Sequence, residues 1–141
     1  MIYYARIQKQ PDKSYLVEFP ELEGCFTEGK NLADARAQAK EALDAWIASN
    51  CDRNLNIPNP KKRRLKTYYP IEVDIRIAFP VMLRKARTER RLSQTQVAKK
   101  LNISQKAYVK LENSQKANPS LSTIQKLSDV LELELQLKIG A

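Results

Sequence analysis

The chain contains no histidine. That removes the usual general base of acid–base catalysis and leaves too few ligands for a zinc site. Its two cysteines, Cys25 and Cys51, form no CxxC pair and read as reduced thiols of a cytosolic protein. No apolar run approaches the ~18 residues of a membrane span. The opening Met1-Ile2-Tyr3-Tyr4-Ala5-Arg6 lacks the basic stretch and apolar core of a secretory signal. A cytoplasmic protein with no membrane contact, no metal and no cofactor is expected.

What the chain has in excess is positive charge, placed unevenly. Residues 1–60 carry seven Lys/Arg against nine Asp/Glu, a net of −2, and residues 61–141 carry eighteen against seven, a net of +11. The basic half favours a polyanion through counterion release. With 141 residues and 43% hydrophobic content, the chain is long enough for one or two small domains with real cores.

The first half alternates. Ile2 to Gln8 and Tyr15 to Phe19 have strand periodicity around a turn at Pro11-Asp12-Lys13-Ser14, Cys25 to Glu28 is a short third strand, and Gly29 ends it. Asn31 caps a long helix with Leu32, Ala35, Ala39, Leu43, Trp46 and Ile47 on one face, Trp46 being expected in the core. Pro58 and Pro60 keep residues 54–60 extended. Lys61-Lys62-Arg63-Arg64 reads as a solvated loop, or as a supplementary phosphate contact. Ile71, Val73, Ile75 and Ile77 alternate with Glu72, Asp74 and Arg76, which predicts a strand returning to the sheet begun at Ile2. The order predicts an α+β domain, a small antiparallel-type sheet with one helix, over residues 1–77.

The second half, residues 78–141, reads as helical. Pro80 is expected in a first helical turn, followed inward by Val81, Leu83 (or Met82) and Ala86. Ser93 with Gln96 forms a capping box for a helix whose apolar face is Val97, Ala98 and Leu101. Asn102 suits a left-handed helix end, Ile103 offers a core anchor, and Ser104 caps a second helix with Ala107, Tyr108 and Leu111 inward. Two short helices across a tight turn make a helix-turn-helix. A further helix from Ser120 turns Leu121, Ile124, Leu127 and Leu131 inward. Leu133, Leu135, Leu137 and Ile139 then alternate with polar residues, which predicts a terminal β-strand.

Two resemblances follow from these residues. Leu92-Ser93-Gln94, Ala98, Ile103, Leu111-Glu112-Asn113 and Asn118-Pro119-Ser120-Leu121 resemble a Xre/Cro-type helix-turn-helix domain of bacterial repressors. That family usually has Gly at the position of Ser114, so the loop after Asn113 is expected to differ in detail. Phe19-Pro20-Glu21-Leu22-Glu23-Gly24-Cys25, Thr27-Glu28-Gly29, the Asn31 helix start, Ala39 to Leu43 and Ile57-Pro58 resemble the HicB antitoxin family. That resemblance implies a truncated ribonuclease-H-like fold and a HicA-like partner, a small toxin that cleaves mRNA.

Acidic residues are available for a metal-dependent nuclease, but Asp12, Glu21 and Glu23 fall in turns, and no carboxylate sits centrally on the apolar face of the first strand. The chain is therefore read as a binding protein and not an enzyme: an antitoxin that neutralises a HicA-like ribonuclease and represses its own operon by binding operator DNA. The other reading is a transcriptional regulator with a ligand-sensing N-terminal domain. An acidic N-terminal domain suits a cationic partner, with candidate toxin contacts at Phe19, Glu21, Glu23 and Glu28. For DNA, the repressor resemblance points to Ser104, Gln105, Lys106 and Lys110 on the second helix, with Gln94 and Asn113 on phosphates; simple solvation of these side chains is the other possibility. A homodimer or higher even oligomer is expected, because a repressor of this type reads paired half-sites. Leu133, Leu135, Leu137 and Ile139 are expected to pair with a second copy, or to dock on the N-terminal sheet.

Overall fold

The structure, a computed structural model, describes residues 1–134 and 140. The chain divides into two compact units, Met1–Ala78 and Phe79–Ala141. The first is a four-stranded antiparallel sheet with one helix, and in the second the regular secondary structure among the described residues is all helix.

In the N-terminal unit β1 (Ile2–Lys9), β2 (Tyr15–Glu18) and β3 (Phe26–Gly29) lead into α1 (Leu32–Asp52), and β4 (Tyr68–Glu72) completes the sheet in the order β3-β2-β1-β4. All pairs are antiparallel, with Ile7 opposite Val17, Val17 opposite Thr27 and Tyr3 opposite Ile71. Period-two alternation puts Tyr3, Ala5, Ile7 and Val17 on the buried face. Helix α1 covers it with Ala35, Ala39, Leu43, Ile47 and Cys51, one residue per turn. Asn31 caps α1 by accepting from the Asp34 backbone N–H at 2.8 Å, and Asp34 accepts from Lys30 N–H at 2.9 Å. Two positions of the expected stripe lie outside this core: Leu32 is exposed, and Trp46 is half-buried, its indole N–H donating to the Glu23 carbonyl at 3.0 Å.

The strand expected over residues 71–77 is corrected. β4 does return to β1, but it stops at Glu72, and α2 (Ile75–Glu89) begins three residues later. Asp74 makes the switch. Its carboxylate accepts from Arg76 N–H at 2.9 Å, and its carbonyl accepts from Ile77 and Ala78 N–H at 2.9 and 2.8 Å. Its own N–H is held by the Asp44 carboxylate at 2.9 Å. Ile75, expected inward, is 76% exposed. Pro80 consequently falls inside α2 rather than in its first turn, and has no N–H to offer the Arg76 carbonyl four residues before.

In the C-terminal unit α3 (Gln94–Leu101), α4 (Gln105–Leu111) and α5 (Leu121–Leu131) pack with the later turns of α2 around Leu83, Val97, Leu101, Tyr108, Leu127 and Leu131. Leu83, not Met82, takes the inward position, and Met82 is 51% exposed. Ala98 is buried within the same core. Three expected core positions lie at the surface: Ile103, Ala107 and Leu121, the last 81% exposed. Leu121 is the first residue of α5, Ile103 precedes the Ser104 cap of α4, and Ala107 lies in the first turn of α4. Ser114 is buried and is not among the residues with positive φ, so the loop after Asn113 avoids the left-handed step that glycine would favour there.

Helix α5 ends in a Schellman arrangement. Leu133 N–H donates to the Ser128 carbonyl at 2.9 Å and Glu132 N–H to the Asp129 carbonyl at 3.4 Å, with Glu132 left-handed at φ 49°. Leu133, the first residue of the expected intermolecular strand, is half-buried against the core of its own unit. Leu135, Leu137 and Ile139, the rest of that strand, lie outside the described residues. A glutamate side chain is a poor occupant of the left-handed region. Glu132→Gly should therefore stabilise the C-terminal unit by about 0.5–1 kcal/mol, read as a higher urea midpoint with unchanged m-value. An unchanged or lower midpoint would show that Glu132 makes up for its backbone cost.

Candidate nucleic-acid interface

The turn between α3 and α4 is set by three local devices. Ser93 and Gln96 form a reciprocal capping box, with Ser93 Oγ accepting from Gln96 N–H at 3.0 Å and Gln96 Oε1 from Ser93 N–H at 2.7 Å. Asn102 closes α3 in the left-handed region at φ 57°, ψ 43°, and Ile103 N–H reaches back to the Ala98 carbonyl at 3.0 Å. Ser104 Oγ then accepts from Ala107 N–H at 3.1 Å and starts α4.

A buried polar cluster locks α4 to α2 and α3. Glu112, just past the end of α4, receives Arg87 Nε on Oε1 at 2.6 Å and Arg87 Nη2 on Oε2 at 3.0 Å. The Tyr108 hydroxyl donates to Oε1 at 2.6 Å and Gln94 Nε2 to Oε2 at 3.1 Å. Arg87 Nη1 also holds the Leu92 carbonyl at 2.9 Å. Burial by itself raises the Glu112 carboxyl, but the bonds from Arg87, Tyr108 and Gln94 outweigh it and hold that carboxyl below the usual range. Burial and then the bond to Glu112 push the Tyr108 phenol far above its ordinary value. This cluster is absent from the sequence reading, where Glu112 figured only as part of a motif.

With the inner side of α4 fixed, its outer side is a polar ridge. Gln105, Lys106, Val109, Lys110, Asn113 and Lys116 line one shallow depression. Three of these are expected DNA contacts on the helix itself, and Gln105, Lys106 and Lys110 are all exposed. Val109, 41% exposed, and Lys116 were missed. The spacing would have found Val109, which lies one turn beyond Gln105 on the same face. The other expected contacts have local duties. Ser104 spends its hydroxyl on the cap, Gln94 gives its amide N–H to Glu112, and Asn113 Oδ1 accepts from Gln115 and Lys116 N–H, both at 3.0 Å.

The four expected toxin contacts separate. Phe19 is buried at 2% exposure, and its carbonyl accepts from Leu22 N–H at 3.0 Å within a tight turn. The Glu21 side chain is 3% exposed and is ion-paired with Arg63, which lies over the Tyr68 ring at 4.9 Å. Glu23 and Glu28 are exposed. Phe26, on β3 between them, is 67% exposed. The charge also divides differently between the two units than between the two halves of the sequence. The basic run that begins at Lys61 belongs to the first unit, so residues 1–78 carry thirteen Lys/Arg against eleven Asp/Glu, a net of +2, and residues 79–141 carry +7. The N-terminal unit is acidic only in part. Among the described residues, no group of three or more His, Cys, Asp or Glu is placed to hold a metal ion, and no helix is long and apolar enough to cross a membrane.

Comparison with known proteins assigns each unit separately. The Helix-turn-helix family model matches residues 83–138, and the UPF0150-like model matches residues 2–58. A UPF0150 protein of Thermoplasma acidophilum is 37% identical over 68 residues, spanning 48% of this chain and 99% of that protein. Antitoxin HicB of Escherichia coli K12 is 26% identical over 137 residues, 97% of this chain and 98% of the relative, and antitoxin HicB of Escherichia coli O157:H7 matches to the same extent. The chain belongs to the UPF0150-like, HicB-related family and carries an Xre-type helix-turn-helix domain in its C-terminal unit.

Proposed function

We propose that the protein is an antitoxin that neutralises a HicA-like mRNA-cleaving toxin through its N-terminal unit and represses its own operon through its C-terminal unit. The observation that carries this reading is the near full-length likeness to antitoxin HicB, joined to a helix-turn-helix whose second helix turns Gln105, Lys106 and Lys110 to solvent. In such a motif the second helix enters the major groove and its first residues meet base edges. Gln105 is suited to bidentate bonding with adenine, Val109 to contact with a thymine methyl, and Lys106, Lys110 and Lys116 to phosphates. For the toxin, Glu23, Phe26 and Glu28 form an exposed aromatic flanked by carboxylates, a chemistry that fits a cationic partner.

The test uses the full chain, the DNA upstream of its coding sequence and a purified HicA-like ribonuclease. Gln105→Ala should reduce discrimination between that DNA and a scrambled duplex by about 1–3 kcal/mol. The same variant should neutralise the toxin as well as the parent does. An unchanged affinity ratio for Gln105→Ala removes the base-reading role. Continued mRNA cleavage in the presence of excess parent protein removes the antitoxin role.

A further inference from the structure

Between α1 and β4 the chain runs through residues 55–67 with no helix or strand, yet this strap is anchored along its length. Ile57 is buried at 3% exposure. The Tyr3 hydroxyl donates to the Pro58 carbonyl at 2.6 Å; burial, with the Glu21 carboxylate nearby, pushes that phenol up to about 12. Arg63 is held by Glu21, with Nε donating to Oε1 at 3.1 Å. At the far end Ile7 N–H donates to the Thr67 carbonyl at 3.0 Å and Tyr68 N–H to the Leu65 carbonyl at 3.0 Å.

The remaining charges of the strap point away from these anchors. Lys61, Lys62, Arg64 and Lys66 are exposed, and their side chains make no ion pair or hydrogen bond with any described residue. Four uncompensated cations thus lie within six residues on a backbone that is fixed before any ligand arrives. Fixing cations in advance lowers the ordering cost of binding, and a chain of this length reaches about 17 Å when extended, enough to meet several successive phosphates. The rest of the N-terminal unit has no such surplus, since residues 1–60 carry a net of −2.

We propose that this strap is a second nucleic-acid contact, in which Lys61, Lys62, Arg64 and Lys66 bind the phosphate backbone of the operator duplex and add sequence-independent affinity. The proposal rests on the reading of the chain as an operator-binding repressor. A duplex is favoured over an anionic membrane because Leu65, 69% exposed, is the one large apolar side chain among these cations, short of the apolar face that a membrane-surface segment needs.

The experiment measures binding of the full chain to a 30-base-pair duplex of mixed sequence and to the DNA upstream of its coding sequence, across a range of salt concentrations. In the variant Lys61→Ser/Lys62→Ser/Arg64→Ser/Lys66→Ser, log K should depend less steeply on log salt, by about 2 to 3.5, for both duplexes, because each phosphate contact contributes roughly 0.9 to that slope. The ratio between the two affinities should not change. Lys61→Arg/Lys62→Arg/Lys66→Arg should retain the parent slope. Far-UV circular dichroism checks that the serine variant keeps its fold, as exposed unpaired side chains predict. An unchanged slope in the serine variant overturns the proposal, as does a loss confined to anionic vesicles with DNA binding intact. A parallel Lys106→Ala/Lys110→Ala variant separates the two readings. If its slope and affinity match the parent, the recognition-helix assignment fails, while the strap is still judged by its own slope.

Discussion

Replacing Gly29 with alanine should unfold most of the N-terminal unit at temperatures where the parent is intact. A Cβ built on Gly29 falls 2.3 Å from the Ala35 backbone nitrogen and 2.4 Å from its Cα. The reason is local. β3 ends at Gly29 and α1 starts at Leu32, so only Lys30 and Asn31 turn the chain from the sheet onto the helix that covers it. The first turn of α1 folds directly onto the end of its own strand. The obstacle is backbone at a capped helix start, which cannot rotate aside as a flexible side chain would. Overpacking commonly costs about 1–3 kcal/mol, and this contact belongs at or above the top of that range. For a unit of this size, about 3 kcal/mol corresponds to a fall in Tm of roughly 12–24 °C. Gly24→Ala is the matched control: Gly24 has φ +78° and nothing within 4 Å of its Cβ position, so its cost is only the left-handed penalty of about 1–2 kcal/mol. Equal Tm losses for the two variants would show that the β3–α1 corner yields, and that the close approach does not hold it.

Glu112→Ala should destabilise the C-terminal unit by about 3–5 kcal/mol, the usual cost of breaking a buried ion pair from one side. The loss is large because three donors depend on this carboxylate. Removing it leaves the Arg87 guanidinium, the Tyr108 hydroxyl and the Gln94 amide without their acceptor in a site where Glu112 is 6% exposed. Replacing both members of the ion pair, as Arg87→Met/Glu112→Leu, should recover much of the loss, since no uncompensated charge then remains. The pH dependence follows from the depressed carboxyl of Glu112. Its contribution is fully present above the unfolded carboxyl pKa of about 4.3 and is lost as pH falls through the lower folded value. Urea midpoints at descending pH should therefore drop in the parent below about pH 4.3, and Glu112→Gln should flatten that limb. Parallel limbs in the two proteins would place the acid sensitivity elsewhere.

What could be read from the sequence was the chemistry that acts over a few residues. Asn31, Ser93 and Ser104 cap the helices they were expected to cap, and Asn102 takes the left-handed turn, because a side chain bonding to backbone two or three residues away needs no tertiary context. The alternation through Ile77 misled for the opposite reason. Asp74 starts α2 with its own N–H held by Asp44, thirty positions earlier, and no local pattern encodes that partner. The same distance hid the Arg87–Glu112 and Glu21–Arg63 pairs, and with them the fact that Gln94 and Glu21 already have internal partners. Periodicity also gives direction without depth. It placed Leu121 on the inward stripe of α5, where it is in fact 81% exposed. On α4, sequence pattern brought out Gln105, Lys106 and Lys110 because their neighbours Tyr108 and Leu111 are buried.

The sheet order β3-β2-β1-β4 imposes a timetable on synthesis. β1 is an interior strand, but its two neighbours are made far apart in time: β2 follows it across a short turn, whereas Ile2 must wait for Glu72. At translation rates of about 5–20 residues per second, β4 emerges several seconds after β1. Through that interval β1 has one open edge, with backbone groups able to pair with another nascent chain. The unit can close before the helical unit behind it has left the ribosome, and the helical unit, built from contacts between neighbouring helices, needs no comparable wait. The interval before β4 arrives is thus when the chain is most exposed to misassembly, and its length is set by the stretch between β1 and β4.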